Sequence, residues 1–277
     1  MKCLKFLALA VTAGLIATGC NSMSGQKGGA RGFDYTQMLS LTKTYHKELG
    51  TLNMTATGHK PQRRSVECHI RNLTRSVGGA FAGLRSEWRT EILRECSVNA
   101  ALINDGTFIV SNCLSDLLPD QDEVAYVVAH ALAHSLMEHD NERATRLLKP
   151  PISEAGGLEA FKFSLYLRAP ENFASFSNAL GLVIDPARNA PYTPEQEKAA
   201  DTLALQLMAN SGYNPSAILL FWQNINRNPD YKGEDYAALH PHTDEYLKEI
   251  SANLDALVQV YRTARKDYGR VPQCQFK

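Results

Sequence analysis

Val127-Val128-Ala129-His130-Ala131-Leu132-Ala133-His134-Ser135 decides how this chain is read. Two histidines stand four apart inside an apolar run. On an α-helix, residues i and i+4 lie one turn apart on the same face, so both imidazoles can point at one metal ion. The flanks agree with a helix. Asp120 can cap it, and Glu123 follows three residues on, as in a capping box. The apolar stripe takes Val124, Val127, Val128, Ala131 and Leu132. The pattern carries the helix past His139 toward Leu148, where Pro150-Pro151 stops it. The spacing alone proves little. Eight histidines in 277 residues give about 0.2 such pairs by chance, so the rest of the chain has to agree.

Upstream, residues 99–103 and 107–110 read as two strands joined by Asn104-Asp105-Gly106, a strong hairpin signal. Residues 88–96 read as a further strand, and residues 34–50 and 62–77 as helices. Downstream, Thr193-Pro194-Glu195-Gln196 supplies an N-cap, a Pro at N1 and a Gln at N3. The helix it opens carries Glu197, Ala200, Asp201, Ala204, Leu205 and Met208, and ends at Gly212. Asn214-Pro215 starts another helix through Ile225. After His240-Pro241, a last amphipathic helix covers about residues 243–265. Residues 151–190 are apolar without a clear period, and plain packing is favoured there over a lid.

These residues carry a resemblance. Asn99-Ala100, Gly106-Thr107-Phe108-Ile109-Val110, Leu114, Glu123 and the two histidines come first. Glu197-Lys198-Ala199-Ala200-Asp201, Gly212-Tyr213-Asn214-Pro215 and His240-Pro241 follow in order. Over about residues 85–265 the chain resembles the zinc metallopeptidases related to CAAX prenyl proteases. The branch it looks most like is the periplasmic chaperone-proteases of bacterial envelopes. The resemblance implies an α+β fold: a mostly helical zincin with a small antiparallel sheet beside the zinc-binding helix. It implies one zinc ion held by His130, His134 and Glu197, a set that leaves an open position for water. Asp201 lies one turn after Glu197 and would hold a ligand histidine in its tautomer or donate a proton. His240 would approach the metal or cap its own loop. Asp201 and His240 are thus the candidate catalytic residues. Polypeptide substrates or clients would bind as an extended strand along the sheet edge, for which residues 107–111 are the candidate.

Two positions depart from the family. Its motif is H-E-x-x-H, and Ala131 stands where the glutamate belongs. Tyr246 stands six after His240, where relatives usually have Arg. The glutamate moves a proton from water to the leaving amine, help worth ~10²–10⁴-fold, and alanine can do neither. His139 and Glu138 lie more than a turn beyond the place where a base should point. The expectation is a zinc metalloendopeptidase-type domain acting on proteins or peptides with impaired catalysis. Two alternatives stand beside it: an active quality-control protease with another base, and a metal-free chaperone-like or scaffolding module. Proteolysis and metal content separate them.

The N-terminus supplies a location. Residues 1–19 read as a lipoprotein signal, with Lys2 and Lys5 before an apolar run, Phe6 to Ile16, too short to span a bilayer. Ala17-Thr18-Gly19-Cys20 resembles a bacterial lipobox, making Cys20 the acylated residue. Residues 20–33 read as an acylated Gly/Ser tether and residues 34–277 as the metallopeptidase-like domain. The expectation is a bacterial envelope lipoprotein, anchored by acyl chains on the periplasmic face, with Asn21 leaning toward the outer membrane. In that oxidising compartment Cys68, Cys96, Cys113 and Cys274 allow two disulfides in three pairings, and the sequence selects none. The net charge is zero, or −2 without residues 1–19, and nothing in that balance suggests nucleic-acid binding, which needs a basic surface.

Overall fold

The structure is a computed structural model. It describes residues 31–34, 37–39, 42–43, 46, 60–76, 88–94, 96–103, 106–118, 120–148, 192–231, 236–237, 240 and 242–274. Residues 1–20, on which the signal and lipidation expectations fall, and the stretch 151–190 lie outside the described residues.

Helix α1 (Lys60–Ser76) precedes three strands, β1 (Arg89–Leu93), β2 (Ala100–Ile103) and β3 (Thr107–Ser111). The β2–β3 hairpin is antiparallel, and Gly106 turns it at φ 83°, a conformation that costs glycine little. β1 is shorter than the stretch 88–96 expected for it. It pairs with β3 in parallel, so the sheet is mixed, in the order β1-β3-β2. The reason lies in the link between β1 and β2. It crosses the end of β3, where the Ser111 amide donates to the Asn99 carbonyl at 3.2 Å and Cys96 is bonded to Cys113.

This order corrects the sequence expectation for the substrate edge. Residues 107–111 form the central strand, paired on both sides. The edge beside the histidine helix is β2, whose outer side has no strand partner among the described residues.

A short helix α2 (Leu114–Leu117) leads to the central helix α3 (Gln121–Leu136), in which every residue from Glu123 to His134 is buried. Asp120 caps it by accepting from the Asp122 amide at 2.8 Å. Glu123 does not complete a capping box; its carboxylate instead accepts from Asn224 at 3.2 Å. The helix also stops earlier than its pattern suggests. Met137 and Glu138 form a turn, with Glu138 at φ 59°, and a separate helix α4 (His139–Leu148) begins. This break folds His139 back onto His134.

Helix α5 (Pro194–Asn210) opens with the expected capping box, in which Thr193 and Gln196 cap each other, and ends before Gly212 at φ 81°. The Arg270 carbonyl lies 2.0 Å from where a Gly212 Cβ would be, so no other residue fits there. Helices α6 (Ala217–Arg227) and α7 (Asp244–Asp267) complete the described chain. α5 packs against α3 through fully buried small residues, Ala129 and Ala133 on one side and Ala200 and Ala204 on the other. Small side chains let the two backbones approach, and that approach brings ligand-type residues of both helices together. Tyr126, Phe221, Trp222 and Tyr236 fill the core behind them. The disulfides are Cys68–Cys274 and Cys96–Cys113, one of the three pairings left open by the sequence. No described helix is long and apolar enough to cross a membrane.

Candidate metal centre

His130 and His134 occupy one face of α3, as their spacing requires. Their Nε2 atoms lie 2.9 Å apart. Glu197, from the first turn of α5, places Oε2 3.3 Å from His130 Nε2 and Oε1 3.6 Å from His134 Nε2. His240 reaches in from the segment before α7. Its Nδ1 lies 3.0 Å from Glu197 Oε1 and 3.2 Å from His130 Nε2. The four donor atoms all lie within 4.8 Å of one another, and all four residues are buried.

Each α3 histidine is held through its remote nitrogen. His130 Nδ1 lies 2.7 Å from Asp201 Oδ1, and the Tyr126 hydroxyl donates to the same oxygen at 2.7 Å. Trp222 Nε1 donates to that hydroxyl at 3.2 Å. Asp201 Oδ2 lies 2.6 Å from His242 Nε2 and accepts from the Tyr246 hydroxyl at 3.2 Å. His134 Nδ1 lies 3.0 Å from His139 Nδ1. Tyr192 stacks on the His134 ring, with centroids 3.8 Å apart, and covers it.

Electrostatics keep the two carboxylates ionised. Burial opposes the charge on Glu197, yet His240 and His130 outweigh it and hold the carboxyl near 2. Asp201 is likewise held well below the usual carboxylate range, because His130 and His242 overcome its burial. Burial alone would lower His130, but the Asp201 and Glu197 carboxylates raise it to about 9. His134 is pushed well below 6.5 by burial and then by its basic neighbours. The donor set fits a divalent cation. Two imidazole nitrogens 2.9 Å apart meet lone pair to lone pair unless a proton or a cation lies between them. Imidazoles with a carboxylate are the ligand types zinc takes.

The structure therefore brings His130, His134, Glu197, Asp201 and His240 together. It adds four residues the sequence reading had not placed: Tyr126, His139, Tyr192 and His242. Tyr126 stands four before His130, so helical spacing alone could have found it. His139 could not be found that way, because the α3–α4 break places it. His139 meets the nitrogen of His134 that faces away from the donor cluster, and Glu138 pairs with Arg31 at the surface. Neither stands at the base position, where Ala131 presents a methyl group to the pocket. Tyr246 lies on the far side of His130, bound to Asp201.

The family model of Peptidase family M48 matches residues 61–254. The chain belongs to peptidase family M48. It is similar to the Mitochondrial metalloendopeptidase OMA1 of Schizosaccharomyces pombe, 22% identical over 166 residues, which covers 59% of this chain and 46% of that protein. The protein of the same name from Saccharomyces cerevisiae is 21% identical over 183 residues, 63% of this chain and 49% of that protein. That from Arabidopsis thaliana is 24% identical over 177 residues, 63% and 34%. The chain spans less than half the length of each of these relatives.

M48 membership makes this a metalloprotease-type domain. The family implies a metal, typically zinc, and the buried His/Glu cluster is where one fits. The relatives also correct the location. All three are mitochondrial by name, which overturns the bacterial envelope and outer-membrane placement drawn from residues 1–20. A short basic and apolar lead with a four-residue cysteine pattern carries too little information to fix a compartment.

Proposed function

We propose that this M48 domain holds one zinc ion through His130, His134, Glu197 and His240, binds polypeptides, and hydrolyses them weakly because Ala131 occupies the base position. The observation that carries the reading is the convergence of four buried donors beside a methyl group in place of a carboxylate. Zinc there supplies Lewis acidity, polarising a carbonyl and acidifying water.

The chain's own residues prepare that site. Asp201 accepts the Nδ1 proton of His130 and so turns its Nε2 lone pair toward Glu197 and His240. His139 holds His134 through Nδ1 in the same way. Tyr192 and the buried walls of α3 and α5 exclude water. An extended polypeptide would add to the outer side of β2, which has no strand partner among the described residues, with alternate side chains turned to the pocket that Ala101 and Leu102 line. His240 as a fourth donor would have to give way to water or a carbonyl for hydrolysis to occur, which slows turnover in the same direction as the missing base.

The test is hydrolysis of unfolded casein and of a peptide library by the purified protein and by Ala131→Glu, each with its zinc content measured. Ala131→Glu is expected to raise turnover by ~10²-fold or more, the worth of a general base. A wild-type rate equal to that of Ala131→Glu would overturn the impaired-enzyme reading and favour an active protease with another base.

A further inference from the structure

A segment far from the donor cluster in sequence is tied to it in space. Residues 31–34 lie along α4 and are held there by its side chains. The Gly32 amide donates to Thr145 Oγ1 at 2.7 Å. Asn141 grips Phe33 by both backbone groups: Oδ1 accepts from the Phe33 amide at 3.3 Å, and Nδ2 donates to the Phe33 carbonyl at 2.7 Å. A side-chain amide offers the same donor and acceptor as a peptide group, so Asn141 stands in for a partner strand. The Phe33 side chain is buried. Asp34 then turns the chain, because it and Gln37 cap each other through paired 2.8 Å bonds.

Arg31 carries this grip to the metal centre. Its Nη2 donates to the Met137 carbonyl at 3.2 Å, Nη1 lies 3.0 Å from Glu138 Oε2, and Nε lies 3.4 Å from Glu142 Oε1. Met137 and Glu138 form the turn between α3 and α4, and Glu138 sits at φ 59°, a left-handed conformation that is costly for a residue with a β-carbon. A costly turn has to be held from outside itself. What this turn positions is His139, whose Nδ1 lies 3.0 Å from His134 Nδ1. The other oxygen of Glu142 accepts from Gln196 Nε2 at 2.7 Å. Gln196 closes the capping box of α5, and the next residue is Glu197. One guanidinium thus bears on both helices that supply donors. We propose that residues 31–34 are a strap that positions the metal ligands. Arg31 and Asn141 are its positioning residues, acting through His139 on His134 and through Glu142 and Gln196 on Glu197. The strap rests on the metal-binding reading above. Arginine is suited to the place because its planar fork meets a carbonyl and two carboxylates together, which an ammonium on a flexible stem does less well. Exposed ion pairs add little to the stability of a fold, so the loss of Arg31 registers in the geometry of the ligands.

The experiment uses the full chain, loaded with zinc or with cobalt(II). It reads zinc affinity by competition with a chromophoric chelator, and the visible absorption of the cobalt form, which follows ligand geometry. Arg31→Ala is expected to fold, to bind zinc about tenfold more weakly, the lower end for loss of an outer partner, and to shift the cobalt bands. Asn141→Ala should act in the same direction, and Arg31→Lys should recover part of the affinity. Glu249→Gln, which breaks the exposed Lys198–Glu249 pair, should change neither readout. Zinc affinity within about twofold of wild type and unmoved cobalt bands in Arg31→Ala would overturn the strap alone. An equal loss in Glu249→Gln would overturn it too, since the effect would then be one of surface charge in general. A wild-type protein that takes up neither metal overturns the metal-binding reading, and the strap with it.

Discussion

Asp201→Asn is the sharpest probe of how the centre is held. Four groups meet this carboxylate. Oδ1 lies 2.7 Å from His130 Nδ1 and accepts from Tyr126 at 2.7 Å, while Oδ2 lies 2.6 Å from His242 and accepts from Tyr246 at 3.2 Å. Asparagine keeps the shape but has one accepting oxygen and one donating NH₂. If its oxygen faces His130, the histidine keeps its tautomer and loses the anion that makes it a stronger ligand. If its NH₂ faces His130, the ring must move its proton to Nε2, and the lone pair aimed at the cluster is lost. Charge-assisted hydrogen bonds are about twice as strong as neutral ones, and removing such an outer partner costs ~10–100-fold in metal affinity. The assay is equilibrium competition for zinc against a chromophoric chelator at neutral pH, with circular dichroism to confirm the fold. Zinc affinity unchanged within about twofold in folded Asp201→Asn would refute the claim that Asp201 orients a ligand.

Two further outcomes follow from the surrounding scaffold. Burial lowers the His69 pKa to about 3, below its unfolded value, so the stability it carries is complete above pH 6.5 and is lost as pH falls toward 3. Denaturant titrations across that window should show wild type losing stability faster than His69→Leu, by up to about 1.4 kcal/mol per pH unit, and parallel curves would refute the assignment. Cys68–Cys274 joins residues 206 apart and Cys96–Cys113 residues 17 apart, so the paired serine substitutions should cost about 5 and about 3 kcal/mol, respectively. A larger loss from the shorter loop would argue against the chain-entropy account.

The sequence made much of the site legible because its candidate donor residues obey helical spacing and helix signals. His130 and His134 stand one turn apart, and the Thr193 capping box announces the helix that carries Glu197 and Asp201 four residues apart. What it did not reveal depends on the path of the chain in space. No local pattern marks the turn at Met137 and Glu138, where the apolar periodicity continues, so His139 and Arg143 were read as parts of one long helix. The hairpin was legible from Asp105-Gly106, but the neighbour of β3 was not. Strand order depends on how the link between β1 and β2 crosses the sheet, and that is why β2, not residues 107–111, ends the sheet among the described residues. His240 became definite only when the segment before α7 was seen to lie over Glu197.

The central claim is that these residues hold a metal, and metal content tests it most directly. Protein expressed without a tag and purified without chelator should contain about one zinc per chain by elemental analysis. His134→Ala and Glu197→Gln, each checked for fold, should lose it, because each leaves the buried cluster a donor short. A wild-type protein that stays folded, contains no metal and takes up none when zinc is added would contradict the account.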